Sequence, residues 1–327
     1  MSLRLDAREE SWPIAGRFTI SRGSKTEAKV VVVEVADGAA RGRGECVPYP
    51  RYGESGDSVL AQIASVCEAV EREGDRSALQ ALLPPGAARN AIDCALWDLE
   101  AKRAGRRVWE LAGRPGPQPL KTAFTISYGA PDEMGEAAAK AARRPLLKLK
   151  IGGADDLDRV EAVRGAAPRS RLIVDGNEGL SFDDLRRLAP DFARLDVKLV
   201  EQPLKAGADE ALEGWTSPVP LCADESLHSR AELEACARRY GVINVKLDKT
   251  GGLTEALALV DAAQAKGLEI MMGCMVATSL SMAPAMITAQ GAAFVDLDGP
   301  LLLARDREPG LRYVGSVVEP PTADVWG

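Results

Sequence analysis

The sequence predicts an α/β fold in which an N-terminal α+β capping domain precedes a modified (β/α)8 barrel of the (β/α)7β type. Length is the first observation, because 327 residues suit a barrel plus one further unit. The second is a change after the Pro- and Gly-containing segment 114–119, where short apolar runs begin to alternate with amphipathic helical stretches. The third is the spacing between the ends of these runs, about 22–28 residues, which fits one strand and one helix each.

Eight apolar runs are the candidate barrel strands, and each except the last is followed by a helix-like segment. In chain order they are residues 122–127, 146–150, 171–175, 197–201, 219–224, 242–247, 269–274 and 293–298. In the capping domain the patterns indicate a strand over 28–35, helices over 57–73 and 87–103, and loops over 21–26 and 44–55. We therefore predict a capping domain at 1–116, a barrel at 117–304, and a tail at 305–327 that packs on the capping domain.

Composition excludes several classes of function. The formal net charge is −7, from 41 Lys and Arg against 48 Asp and Glu, which argues against a nucleic-acid surface. There is no apolar run near 20 residues and no signal-peptide core, so we expect no membrane span and no export. The six cysteines form no CxxC pair, which is typical of reduced thiols in a cytoplasmic protein.

The histidine count narrows the chemistry further. His228 is the single histidine, which excludes a multi-histidine metal site and leaves one residue for any Ser-His-Asp triad. With no second histidine near it, His228 is interpreted as structural or exposed.

Ionisable residues stand at the ends of nearly all the candidate strands. Active sites of such barrels lie at the C-terminal ends of the strands, whereas buried parallel strands should otherwise be almost continuously apolar. The residues at these ends are Lys148, Lys150, Asp175, Glu201, Asp224, Lys246, Cys274, Asp296 and Asp298. Several charges in one mouth are costly unless they pair or bind a metal, which favours an active site.

Asp175, Glu201 and Asp224 supply three carboxylates from three successive strands. Oxygen ligands of this kind suit a hard cation, so we predict one Mg²⁺ per subunit, with Mn²⁺ as the alternative. Each residue could instead cap the helix that follows it, but three in series beside strand-end lysines favour the metal site.

The lysines are the candidate acid/base groups. Lys148 and Lys150 are two residues apart and share a strand face, and Lys246 lies four strands further on, across the barrel. Neighbouring cations and burial are expected to lower their pKa values. Lys249 could compete for the second role but falls past the strand end. Two bases beside a metal can move a proton at a carbon next to a carboxylate, which is racemisation or epimerisation.

At these residues the sequence resembles the dipeptide epimerases of the muconate-lactonizing subgroup of the enolase superfamily. The resemblance covers essentially the whole chain. It is carried by KLK at 148–150, VDGN at 174–177, VEQPL at 200–204, ADES at 223–226, NVKLDKTGG at 244–252, GCM at 273–275, DLDGP at 296–300, SRGS at 21–24, GECVPYPRYGES at 44–55 and AARNAIDCALWDL at 87–99. It implies a cytoplasmic isomerase that interconverts L-Ala-L-Glu and L-Ala-D-Glu in murein-peptide recycling.

The same resemblance assigns roles to individual residues. Lys150 and Lys246 would be the catalytic pair, and the three carboxylates named above would bind the metal. The substrate contacts it implies are Lys148 on the reacting carboxylate, Asp296 and Asp298 on the α-ammonium, Thr125 and Cys274 along the pocket wall, and Arg22 on the glutamate side chain, with Tyr52 nearby. The partner is therefore a small dipeptide, with neither nucleic acid nor membrane, and the oligomeric state is left open.

Two alternatives are weighed against this prediction. A cycloisomerase or an o-succinylbenzoate synthase would use the same barrel, but neither substrate carries an ammonium group for the acidic pair of DLDGP. A non-catalytic binding protein with a barrel fold would have no need of two lysines and three carboxylates together. Arg22 could also be an ordinary exposed arginine, and Cys274 a buried packing residue.

Overall fold

The computed structural model describes residues 3–153 and 155–327. Residues 1, 2 and 154, which fall inside the predicted domains, lie outside the described residues. No helix of the described chain has the length and apolar character needed to cross a bilayer.

The N-terminal region combines an antiparallel sheet of order β1-β2-β3 with helices packed against it. Its elements are β1 Arg4–Ile20, β2 Gly23–Asp37, β3 Ala40–Cys46, a 3₁₀ turn Pro50–Tyr52, α1 Gly56–Glu73, α2 Arg76–Leu82, α3 Ala87–Ala104 and α4 Val108–Leu111. The long β1 strand was not predicted, because its polar, largely exposed residues lack a clear apolar alternation. The predicted loop at 21–26 is instead the tip of the β1–β2 hairpin, which continues almost to its turn.

Eight parallel strands form the second sheet, in the order β12-β11-β10-β9-β8-β7-β6-β5. They are β5 Phe124–Ile126, β6 Leu146–Lys150, β7 Arg171–Asp175, β8 Val197–Glu201, β9 Leu221–Ala223, β10 Val242–Val245, β11 Glu269–Met272 and β12 Phe294–Val295. The backbone N–H of Ala123 donates to the carbonyl of Val295 at 2.8 Å, which links the two end strands. This is the modified (β/α)8 barrel that the spacing of apolar runs predicted, with several strands shorter than expected.

Helices connect most of the barrel strands. They are α5 Pro131–Ala141, α6 Leu157–Ala166, α7 Phe182–Arg194, α8 Leu233–Ala237, α9 Leu247–Thr250, α10 Leu253–Ala265, α11 Ser279–Thr288 and α12 Gly299–Leu302. The prediction of a helix after every strand but the last is wrong for β8. The segment from β8 to β9 holds only a 3₁₀ turn, Glu210–Leu212. Short strands β4 Leu120–Lys121, β13 Tyr313–Val314 and β14 Val317–Val318 form a third sheet.

An apolar layer fills the bottom of the barrel with one residue contributed at each strand. Its members are Ala123, Leu146, Ile173, Leu199, Cys222, Val242, Met271 and Phe294. Side chains alternate along a strand, so the residues two and four positions later point into the same interior. Most of the residues above this floor are the ionisable ones that the sequence singled out, such as Lys148, Asp175 and Glu201.

The two regions meet along α3, which is buried over most of its length. Its Arg89 donates to the carbonyls of Thr250 and Gly251, and its Asn90 donates to Asp248 at 2.9 Å. At the end of the chain, Trp326 is buried and its indole N–H donates to the carbonyl of Arg43 at 3.0 Å. The first region is thereby held over the barrel by polar contacts and by an apolar core that the two regions share.

Gly44 lets β3 and α3 pack backbone to backbone. A Cβ atom at this position would stand 2.1 Å from the carbonyl oxygen of Ala91. We therefore expect Gly44→Ala to lower the free energy of unfolding in urea by about 3 kcal/mol, at the upper end of overpacking costs. Gly165→Ala, in α6 with nothing within 4 Å of the new methyl group, should cause no loss. Equal effects of the two variants would contradict this packing argument.

Asp248 makes the contact between the two regions sensitive to pH. Burial raises its pKa to about 7, assisted by the charges of Glu54 and Glu45, although hydrogen bonds from Val47 and Asn90 oppose the shift. The folded state thus favours the protonated acid. The resulting contribution to stability is complete below the unfolded pKa, near 4, and is lost as the pH rises to about 7.

We expect Asp248→Asn to remove this loss, because asparagine keeps an oxygen acceptor without the charge. The unfolding free energy of the variant relative to wild type should rise between pH 5 and pH 7 by a few kcal/mol at most, then level off. Urea titrations at several pH values measure it, with the exposed Asp261→Asn as control. A difference that does not change with pH would contradict the assignment.

Candidate active site

A cavity of about 1060 Å³ opens at the C-terminal ends of the barrel strands and extends under the β1–β2 hairpin. The predicted site residues that line it are Arg22, Thr125, Lys148, Lys150, Asp224, Lys246, Cys274, Asp296 and Asp298. Asp175 and Glu201 are fully buried and in contact with the lysines that line the cavity. The structure therefore brings all eleven predicted site residues to one mouth, with Tyr52 also in its wall.

Lys148 lies at the centre of the charged cluster. Its ammonium group is 3.1 Å from Asp175, 2.7 Å from Glu201 and 2.9 Å from Asp296, and the side chain is 2% exposed. Burial alone would lower its pKa, but the surrounding carboxylates, Asp296 first, raise it well above the ordinary lysine value. Lys148 is therefore a buried cation held among three carboxylates.

Lys150 and Lys246 each pair with a different carboxylate. The Nζ atom of Lys150 lies 2.6 Å from Asp175, and that of Lys246 lies 2.6 Å from Asp224. Lys150 ends β6, and Lys246 follows β10, four strands along the barrel sheet. In an eight-stranded barrel, strands four apart lie on opposite sides.

The expectation of a lowered lysine pKa is wrong for Lys246 in this structure. Burial is the largest single effect and lowers it, but the charges of Asp224, Glu201 and Tyr52 together raise the pKa well above the ordinary value. Among these charges Asp224 contributes most, because Coulomb attraction is strong at 2.6 Å in a buried site.

Lys249 is excluded as the competing base. Its ammonium group is 1% exposed and donates to Asp224 Oδ1 at 2.6 Å and to the carbonyl of Asn244 at 2.9 Å. It lies beneath Asp224, away from the cavity lining, and holds that carboxylate in place.

The three carboxylates differ in how well the lysines neutralise them. Burial opposes ionisation of Asp175, but Lys150 and Lys148 outweigh it and lower its pKa to about 2. For Glu201, burial and the nearby Asp175 charge raise the pKa to about 7. Glu201 Oε2 is buried without a hydrogen-bond partner, although the Lys148 ammonium is 2.7 Å away in a direction unsuited to a hydrogen bond. Nearby positive charge thus does not fully neutralise the ionised carboxylate of Glu201.

These residues fit a hard divalent cation. Three fully buried carboxylates on adjacent strands offer oxygen ligands only, and one of their oxygens has no hydrogen-bond donor. In residues 3–153 and 155–327 no three acidic, His or Cys side chains converge in the geometry of a metal site. Lysine ammonium groups contact these carboxylates instead: Lys148 lies between Asp175 and Glu201, and Lys150 and Lys246 contact Asp175 and Asp224. A bound cation would have to compete with these contacts.

Asp296 and Asp298 form a second acidic group on the opposite side of Lys148. Asp298 accepts a hydrogen bond from the backbone N–H of Thr125 at 2.7 Å. Burial, together with the Asp296 charge, raises the pKa of Asp298 to about 7. Asp296 is 3% exposed, lines the cavity, and its Oδ1 atom has no hydrogen-bond partner. The pair is suited to a cationic or hydrogen-bond-donating ligand.

Arg22 reaches the barrel from the tip of the β1–β2 hairpin. It is not an ordinary exposed arginine, because it donates to Glu225 at 2.8 Å, to Glu178 at 3.2 Å and to the carbonyl of Asn177 at 2.6 Å. The resemblance placed Arg22 on a substrate carboxylate, and in the structure protein carboxylates hold it at the cavity wall.

Several residues that shape the site were missed by the sequence reasoning. Asn244 donates to Glu201 at 2.7 Å, and the side chain of Gln202 accepts from the backbone N–H of Asp224 at 2.7 Å. Asn244 could have been found, since it is a polar residue on the inward side of an apolar strand. Gln202 and Glu178 follow strand ends and have positive φ values of 31° and 69°, which the sequence does not reveal.

Comparison with known proteins identifies the protein family. A family model described as the N-terminal domain of mandelate racemase / muconate lactonizing enzyme matches residues 3–113, and one described as enolase C-terminal domain-like matches 133–323. The chain therefore belongs to the mandelate racemase/muconate lactonizing enzyme family of the enolase superfamily.

Particular relatives narrow the class to epimerases and racemases. The chain is 48% identical over 307 residues to the L-Ala-D/L-Glu epimerase of Escherichia coli K12, covering 93% of this chain and 96% of the relative. It is 45% identical over 300 residues to an N-acetyl-D-glutamate racemase from Pseudoalteromonas, covering 91% and 95%.

Solved structures agree with this class. An enolase family member from Agrobacterium tumefaciens with homology to dipeptide epimerases, containing sodium and L-Ala-L-Glu, is 53% identical with a TM-score of 0.97, covering 99% of this chain and 100% of that one. A dipeptide epimerase from Enterococcus faecalis, complexed with Mg and L-Leu-L-Tyr, is 26% identical with a TM-score of 0.90, covering 98% of each chain.

Proposed function

We propose that this protein is a Mg²⁺-dependent dipeptide epimerase that interconverts L-Ala-L-Glu and L-Ala-D-Glu by two-base 1,1-proton transfer. The observation that carries the proposal is the placement of Lys150 and Lys246 four strands apart in one barrel mouth, with an acidic pair beside them. The relatives that act on such dipeptides support the choice of substrate.

Two lysines on opposite sides of one substrate account for inversion at carbon. One lysine, as the neutral amine, takes the glutamate Cα proton from one face, and the other, as the ammonium, donates a proton to the opposite face. The roles reverse for the other epimer, so both lysines are needed in each direction. The substrate carboxylate would lie near Lys148, whose buried positive charge favours the extra negative charge that develops on it.

Asp175, Glu201 and Asp224 are the residues that would hold Mg²⁺, one per subunit, with Mn²⁺ as a substitute. When bound, the metal supplies Lewis-acid stabilisation of the developing charge on the substrate carboxylate. Asn244 and Lys249 would keep two of these carboxylates oriented through the contacts described above.

The acidic pair and Arg22 would select the substrate. Asp296 and Asp298 would hold the α-ammonium group of the alanine, for which the unpartnered Asp296 Oδ1 provides an acceptor. Arg22 would meet the glutamate side-chain carboxylate, and Thr125 and Cys274 would line the wall. Cycloisomerase and o-succinylbenzoate synthase substrates have no ammonium group for this pair, which disfavours both alternatives.

The remaining expectations stay predictions. The boundaries at 1–116, 117–304 and 305–327, the cytoplasmic location, the role in murein-peptide recycling and the oligomeric state are of this kind.

The deciding experiment is incubation with L-Ala-L-Glu and Mg²⁺ in D₂O. We expect deuterium to be incorporated at the glutamate Cα, as measured by NMR, and L-Ala-D-Glu to form, as measured by chiral chromatography. Treatment with a chelator should abolish both the deuterium incorporation and the formation of L-Ala-D-Glu. Lys150→Ala and Lys246→Ala should each lower epimerisation at least about 100-fold, the usual scale of a lost acid/base group.

Lys140→Ala, on the exposed face of α5, is the matched control and should leave the rate unchanged. A single lysine variant that still exchanges the proton of one epimer would support the two-base scheme. Unchanged epimerisation in both variants, or no exchange with any Ala-X dipeptide, would refute the proposal.

Racemisation of N-acetyl-glutamate is the second candidate, favoured by the 45% identical relative of that name. N-acetyl-glutamate has the same amide on the glutamate nitrogen but lacks the ammonium group of the alanine, so it gains less from two buried carboxylates. We expect kcat/KM to be higher for L-Ala-L-Glu than for N-acetyl-glutamate.

Asp298→Asn tests this preference directly. The variant should lose roughly 10- to 100-fold in kcat/KM with the dipeptide, since it removes part of a buried charge pair, and should change little with N-acetyl-glutamate. Steady-state kinetics on both substrates measures the split. A wild-type preference for N-acetyl-glutamate, or an equal loss on both substrates, would favour the second candidate.

A further inference from the structure

Arg51 belongs to a charged network that the proposed reaction does not explain. It lies in the 3₁₀ turn Pro50–Tyr52 and binds Glu178 through two parallel hydrogen bonds, Nε to Oε2 at 2.7 Å and Nη2 to Oε1 at 2.6 Å. Such bidentate pairs are the stronger and more directional kind of ion pair. Arg51 itself is about one-third exposed, whereas Glu178 is 7% exposed.

Glu178 is held firmly by the barrel. Its Oε1 atom also accepts the backbone N–H of Ala206 at 2.9 Å, and its own N–H donates to the carbonyl of Gln202 at 2.9 Å. Asn177 and Glu178 have φ values of 42° and 69°, a left-handed conformation that non-glycine residues adopt at some cost. The loop therefore fixes the backbone of Glu178 beside the two arginines.

Arg22 shares this carboxylate but binds it weakly. Glu178 Oε2 is 3.2 Å from Arg22 Nη1, against 2.7 Å from Arg51 Nε. Arg22 has a second anionic partner in Glu225, at 2.8 Å. Two arginines thus face two carboxylates, and Arg51 makes the shorter hydrogen bonds to Glu178.

We propose that Arg51 is a specificity-determining positioning residue. By binding both oxygens of Glu178, it keeps that carboxylate from pairing fully with Arg22, so that Glu225 is the main anion from which an acidic substrate side chain must attract Arg22. The inference rests on the proposed function and deepens it. It assigns recognition of the substrate side-chain carboxylate to Arg22 together with Arg51, which is not among the proposed substrate contacts. Without Arg51, Glu178 turns to Arg22 and competes with the substrate carboxylate.

The test compares Arg51→Met, Glu178→Gln and the double variant with wild type, using L-Ala-L-Glu and the neutral L-Ala-L-Gln. Arg51→Met should raise KM for L-Ala-L-Glu roughly tenfold, with kcat little changed, and should alter KM for L-Ala-L-Gln less than about twofold. The double variant should recover most of the affinity for L-Ala-L-Glu, because the competing charge is gone. Arg51→Lys, which keeps the charge but not the bidentate geometry, should fall between Arg51→Met and wild type.

Arg230→Met is the matched control, because Arg230 binds Glu255 in the same two-pronged way and lies outside the cavity lining. It should leave both KM values unchanged, and thermal unfolding identifies any variant that fails to fold. If Arg51→Met raises KM equally for both dipeptides, or if the double variant shows no recovery, the inference is wrong and Arg51 is merely structural.

Calorimetry with glutarate, a free five-carbon dicarboxylate, separates this result from failure of the proposed function. Wild type should bind glutarate more tightly than Arg51→Met, with recovery in the double variant, whether or not any dipeptide is turned over. Absence of dipeptide turnover with this binding pattern would refute the proposed reaction and retain the acid-recognition network. Wild-type protein that neither binds glutarate nor distinguishes the two dipeptides would overturn the inference.

Discussion

Side-chain alternation along the barrel strands is the constraint on which the site depends. The inward positions begin with an apolar layer at the bottom, which includes Leu146 and Ile173, and two residues later the same inward direction carries Lys148 and Asp175. Burying charges in this way is tolerable only if cations and anions balance within contact distance. The ion pairs of Lys148 show how close that balance is, and the raised pKa of Glu201 shows where positive charge is insufficient.

The barrel and the N-terminal region divide the work of the site. The barrel supplies the buried lysines and carboxylates, which are fixed by strand geometry and by supports such as Asn244. The N-terminal region supplies Arg22 and Arg51 from a hairpin tip and a 3₁₀ turn, and both end on Glu178. The reacting groups thus come from buried strands, while Arg22 and Arg51 come from connecting segments at the edge of the cavity.

Much of this could be predicted from the sequence, and the reasons for the remainder are physical. Strands such as LLKLK at 146–150 are short, are spaced regularly along the chain and end in an ionisable residue. This combination predicted the barrel and the charged residues at its mouth. The long strand β1 was not, because its exposed residues lack the alternation that burial imposes. The pKa of Lys246 was predicted in the wrong direction, because the nearest anion, Asp224, dominates the more distant cations. Glu178 was missed because its position depends on a left-handed backbone that only the fold reveals.

The β1–β2 hairpin has a consequence for how such a protein can diversify. Apart from Arg22, which Glu178 and Glu225 hold, the side chains at its tip are exposed and free of the dense packing found around the barrel lysines. Substitutions at the tip change which ligands are accepted at little cost to folding, whereas substitutions at the inward strand positions risk both folding and chemistry. The architecture thus separates the residues on which folding and proton transfer both depend from those at the hairpin tip, and new substrate preferences can arise without rebuilding the proton-transfer machinery.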